Sequence, residues 1–102
     1  PVIPDYASNN AHMFYIVCPS GKERDALIAG LKSQEIHSVF HYLSLHHSPY
    51  YASRHDGRDL PNSDRFTDCL LRLPFFYELT NAQIQTVCNA IAAHFEKQHV
   101  PA

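Results

Sequence analysis

The chain has 102 residues, with 8 Lys and Arg against 10 Asp and Glu, a formal charge of −2 and an apolar share of 45%. That is the size of one domain, with material for a single packed core. No basic block appears, which argues against duplex nucleic acid or an anionic membrane as a partner. The longest apolar run, over residues 13–18, falls far short of the ~20 residues a membrane helix needs.

No secretory leader pattern opens the chain, and the three cysteines (Cys18, Cys69, Cys88) form no CxxC pair. A cytoplasmic, reducing compartment is therefore expected, with all three thiols serving as small core hydrophobes. The chain begins Pro-Val-Ile-Pro and its single methionine is Met13, so a processed start or a piece of a longer protein is expected. Protonating all eight histidines would move the formal charge from −2 to +6, so mild acid should change the electrostatics considerably.

In chain order, residues 1–11 carry Pro1, Pro4, Asn9 and Asn10 and read as a lead-in. Residues 13–18 are β-branched and aromatic, are stopped by Pro19, and predict a buried strand. Ser20 and Glu23 form a capping box that opens a helix to about Gln34, with Ala26, Leu27, Gly30 and Leu31 inward. Residues 38–42 predict a second strand. Residues 43–62, rich in His, Tyr, Arg and Asp, show no clean periodicity and predict a long functional or mobile loop. Ser63 or Asn62 is placed to cap a short helix from Asp64 to about Leu71. Pro74 disfavours a helical Leu73, so residues 73–76 predict a third strand. Thr80 and Gln83 form a second capping box with Leu79 and Ile84 as its staple. Ile84, Val87, Cys88, Ile91 and Phe95 then mark the inward stripe of a helix ending near Gln98.

The order β-α-β, loop, α-β-α predicts one α+β domain, a sheet of about three strands with helices on one face. The first two strands should run parallel through a right-handed crossover, with the third opposed.

The densest chemistry is His41, Tyr42, His46, His47, Pro49, Tyr50 and Tyr51. Imidazoles and phenols after a strand can hydrogen-bond phosphate or sugar hydroxyls while their rings stack. The competing reading is a solvated loop whose tyrosines cover the sheet. A zinc site drawn from His41, His46, His47 and His55 matches neither the cysteine-rich nor the tight helical His pattern, so no metal is expected. A cysteine nucleophile is disfavoured, because apolar surroundings raise a thiol pKa. There is no glycine-rich phosphate loop, and Phe14 and Tyr15 lack the basic neighbours of an RNA-binding strand.

Three blocks carry a resemblance: Asn10-Ala-His-Met-Phe-Tyr-Ile16, Val39-Phe-His-Tyr-Leu-Ser-Leu-His46 and Leu70-Leu-Arg-Leu-Pro-Phe-Phe-Tyr-Glu-Leu-Thr80. In order and spacing they resemble the C-terminal region of the DegT/DnrJ/EryC1/StrS aminotransferases, fold-type I enzymes that use pyridoxal 5'-phosphate (PLP) on sugar nucleotides. The likeness runs from about residue 1 to residue 95. It implies that residues 12–98 form the small C-terminal domain of such an enzyme, homodimeric as a whole. It further implies that His41, Tyr42 and His46, with His12, reach a nucleotide-sugar substrate in the cleft. Ser44 stands where the family usually has proline, which implies a looser turn.

The family's PLP-bearing lysine and its partner aspartate belong to the large N-terminal domain. This chain has only Lys22, Lys32 and Lys97, none in the desolvated setting that role needs. No PLP is expected on this chain alone, and no catalytic residue is assigned in it. The reading is a C-terminal fragment of a sugar-nucleotide aminotransferase; the alternative is a stand-alone, non-catalytic α+β binding or dimerisation module.

Overall fold

The computed structural model describes residues 2–98. Strand β1, Tyr15–Val17, is followed by helix α1, Gly21–Lys32. Ser20 has extended dihedrals and caps α1: its Oγ accepts from the Glu23 N–H at 3.2 Å and donates to Glu23 Oε2 at 2.9 Å. The helix stops two residues short of Gln34 because Glu35 takes a positive φ of 60°. That left-handed residue lets the Ile36 N–H turn back to the Leu31 carbonyl at 3.0 Å, which satisfies a terminal carbonyl and tucks Ile36 into the core.

Strand β2 is only Val39–Phe40. Two 3₁₀ turns follow, Leu45–His47 and Ala52–Arg54, so the segment 43–62 is locally organised. Helix α2, Pro61–Cys69, begins earlier than expected and has no side-chain cap. Pro61 occupies its first position, where a preset φ helps and a missing N–H costs nothing. Ser63, a proposed cap, is engaged elsewhere.

The third strand is not residues 73–76. Strand β3 is Leu70–Arg72, and it lies in the centre of an antiparallel sheet ordered β1-β3-β2. Tyr15, Ile16 and Val17 pair with Arg72, Leu71 and Leu70, while Val39 and Phe40 pair with Arg72 and Leu71. A central strand donates hydrogen bonds to both sides, which Pro74 cannot do; the ladder accordingly closes with Leu73 N–H on the Phe14 carbonyl at 3.1 Å. Strands β1 and β2 do run parallel to each other, with β3 inserted between them.

Helix α3, Asn81–Gln98, starts on the expected box. The Gln83 N–H donates to Thr80 Oγ1 at 3.3 Å, and Gln83 Oε1 accepts from the Thr80 N–H at 2.9 Å. Its inward stripe is rotated from the expected one. Ala90 is buried and Val87, Ile91 and Phe95 pack on the core, whereas Ile84 is 44% exposed and Cys88 is exposed. The reason lies on α1, where Gly30 admits α3 closely; a Cβ there would stand 3.0 Å from His94 Nδ1. The core centres on Leu27, Leu31 and Leu71, with Cys18, Ile36 and Ala90 around them. Two of the three thiols, Cys18 and Cys69, are core groups as expected; Cys88 is not.

Candidate functional site

The 43–62 segment is anchored by one small side chain. Ser44 is 5% exposed. Its Oγ lies 3.1 Å from Ser63 Oγ and 2.7 Å from Thr67 Oγ1, and it donates to Asp64 Oδ1 at 2.9 Å. Serine in place of proline therefore tightens this turn against α2 instead of loosening it. The φ of −58° at Ser44 is one that proline would also adopt, so the backbone is proline-like and the hydroxyl adds the anchor.

The first 3₁₀ turn then presents His46 and His47 to the start of α2. The His46 side chain is 7% exposed, and its Nε2 lies 3.0 Å from Asp64 Oδ1; His47 Nε2 is 3.7 Å from the same oxygen. The short His46 contact is off-line for an N–H···O bond, and Nε2 has no hydrogen-bond partner. The Ser44 hydroxyl, joined by the nearby His46 and His47 rings, holds the Asp64 carboxyl below its usual range. The His55 ring sits 5.2 Å from that of His46, and its Nε2 is 2.9 Å from the Arg58 carbonyl. Beside this cluster opens a cleft of about 300 Å³ lined by residues that include His46, Tyr51, Arg54, His55 and Arg58.

The remaining expected site residues are placed as follows. His41 follows β2 half-buried, with Nδ1 lacking a partner. Tyr42 is 76% exposed and meets the His41 ring at 4.8 Å. His12 is exposed and contacts Asn10. It precedes β1, an edge strand and not the central one. By the register, His12 lies beyond the Arg72 end of β3 and His41 falls level with Leu70 at its other end, so the two stand at opposite ends of the sheet. Tyr50 and Tyr51 do not cover the sheet; they pack edge-to-face on each other at 4.8 Å, with the Arg54 guanidinium over Tyr50 at 4.3 Å. Asp64 was missed by sequence reasoning because it comes from α2, 18 residues beyond His46, where no local spacing signals the contact.

Lys22 and Lys32 are exposed on α1, and the side chain of Lys97 lies outside the described residues. No helix among the described residues is long and apolar enough to cross a membrane.

The DegT/DnrJ/EryC1/StrS aminotransferase family model matches residues 1–92, and the chain belongs to that family. Its fold is similar to that of the aminotransferase TlmJ from Streptoalloteichus hindustanus, with a TM-score of 0.84 and 21% identity over 98% of this chain and 26% of that one. It is also similar to Spr1654 from Streptococcus pneumoniae, described as a sugar aminotransferase, in its PMP and apo forms. For both forms the TM-score is 0.69 at 23% identity over 84% of this chain and 22% of that one. The chain thus spans about a quarter of the length of the aminotransferases it matches.

Proposed function

We propose that the chain is the C-terminal domain of a cytoplasmic sugar-nucleotide aminotransferase, completing the substrate cleft of a homodimeric enzyme whose larger part carries PLP. The observation that supports this most directly is the family match over nearly the whole chain, joined to a fold likeness that covers only a quarter of the neighbours. In the finer reading, the reaction moves an amino group from glutamate to a 4-keto-6-deoxy sugar nucleotide for cell-surface polysaccharide, as in dTDP-4-amino-4,6-dideoxygalactose synthesis. His41 and Tyr42 are the first contacts: one is a half-buried imidazole and the other an exposed phenol beside it, groups able to bind phosphate or sugar oxygens. His46 would act on the substrate from the adjoining turn, and His12 would contribute from the opposite end of the sheet. PLP would supply the amino-group chemistry in the larger part; no residue of this chain takes that role.

The test is to extend the reading frame upstream of Pro1, express the longer product with PLP, and assay amino transfer from glutamate to 4-keto-6-deoxy sugar nucleotides. The expected outcome is activity that the 102-residue chain lacks, with KM for the sugar nucleotide raised on the order of tenfold by His41→Ala or Tyr42→Ala, the loss of one substrate hydrogen bond. A longer product inactive on all such substrates, or one indifferent to both substitutions, would overturn the reading.

A further inference from the structure

The polar cluster at the start of α2 has a composition that substrate binding does not require. We propose that His46, His47 and Asp64 bind one divalent transition-metal ion of the zinc class. Their ligand atoms all lie within 4.8 Å of one another. Two of the three edges, 3.0 Å from His46 Nε2 to Asp64 Oδ1 and 3.7 Å from His47 Nε2 to the same oxygen, stand on either side of the edge of a tetrahedron, and the third lies within 4.8 Å. Bonds of about 2.0–2.1 Å to nitrogen and oxygen give an edge of about 3.3 Å.

Two further features point to an ion. The His46 side chain is more than nine-tenths buried, yet its Nε2 lacks a hydrogen-bond partner. A buried ring nitrogen that faces a carboxylate without a well-formed hydrogen bond is costly, and a metal bond shared with that carboxylate would satisfy it. Ser44 donates to Asp64 Oδ1, the kind of outer hydrogen bond that orients a ligating carboxylate. Two imidazoles with one carboxylate select zinc, nickel, copper or cobalt over calcium and magnesium, which want oxygen alone. His47 is 67% exposed, which leaves an entry path and an outer position for water. The ion would tie the turn Leu45–His47 to the first turn of α2. The site does not rest on the aminotransferase reading, and it would take His46 away from the direct substrate contact given to it there.

The decisive experiment titrates the untagged 102-residue chain with Co²⁺, follows visible absorption, and then competes with Zn²⁺. Expected are one ion per chain, a four-coordinate cobalt spectrum, and a Zn²⁺-dependent rise in melting temperature. His47→Ala and Asp64→Asn each remove a direct ligand, so each should weaken binding by more than the roughly 10–100-fold that loss of an outer-shell partner costs and abolish the thermal shift. His37→Ala, which removes an exposed histidine elsewhere, should change neither. Because the His47 side chain is mostly solvated, its variant should keep the native circular dichroism and the comparison stays interpretable even if Asp64→Asn unfolds. Absence of stoichiometric binding, or binding unchanged in folded His47→Ala, would overturn the site.

Discussion

At the scale of single residues, Ser44 and the three cysteines show where sequence reasoning succeeds and where it stops. A serine in a proline position reads as a loss of rigidity, because its three partners come from residues 63–67 and no local pattern names them. Burial and three oxygen contacts make it the peg of the 43–62 segment. Ser44→Ala strands Thr67 Oγ1 and Asp64 without that hydroxyl, so it should cost about 1–3 kcal/mol, measured by urea denaturation. A cost within error of zero would show the peg to be dispensable. The cysteines separate by burial: Cys88 should react with a thiol reagent at once, and Cys18 and Cys69 only as fast as the chain opens. Burial pushes the Cys18 thiol up, with Cys69 and then Glu23 adding to it. A raised folded value means the contribution of the neutral thiol is intact below the unfolded pKa and is lost as pH rises through the folded one. Stability should therefore begin to fall as pH rises through the ordinary thiol value of about 8.5 and continue to fall until the raised folded value is passed, and Cys18→Ala should flatten that fall in denaturant titrations.

Among the elements, the helices with capping boxes were legible and the short strands were not. Ser20 and Thr80 open α1 and α3 because a cap acts on neighbours three residues away, information that lies within the sequence window. Strand β3 was misplaced by three residues because its identity depends on two partners, β1 and β2, distant in the chain. Leu70 and Leu71 look equally well like the end of a helix until both edges claim them. The α3 stripe was rotated for a similar reason: the side facing α1 is set by the gap at Gly30, which periodicity alone does not show. Two terminal positions give tests of opposite sign. Thr80→Ala removes the reciprocal cap of α3 and should destabilise by ~1 kcal/mol. Glu35→Gly places a residue free to adopt positive φ where glutamate is strained, and should stabilise by up to ~1 kcal/mol. Thermal melts of the two variants should move in opposite directions; a stabilised Thr80→Ala or a destabilised Glu35→Gly would show that these ends are not held as described.

For the whole molecule, the core is small for the surface it supports. Among the described residues, the largest fully buried side chains are Leu27, Leu31 and Leu71. The radius of gyration is 16.2 Å against about 13 Å for a compact chain of this length. Apolar area is instead gathered in a groove of about 250 Å³ where β3 exits towards α3, lined by Phe14, Pro74, Phe75, Ile84 and Cys88 among others. Phe14, Phe75 and Ile84 are 44–47% exposed there. No other element of the described chain covers this groove. Patches of this kind drive association when left bare. The 102-residue chain should therefore show a concentration-dependent rise in mass by light scattering. Ile84→Ser should lower that rise without loss of helical signal, because its side chain carries little of the core. Leu71→Ala, at the centre of the sheet, should instead cost about 2–5 kcal/mol and unfold a domain with so thin a core. A chain that stays monomeric at high concentration, or an Ile84→Ser variant that unfolds as Leu71→Ala does, would show that the groove is part of the domain's own packing and not a surface through which chains associate.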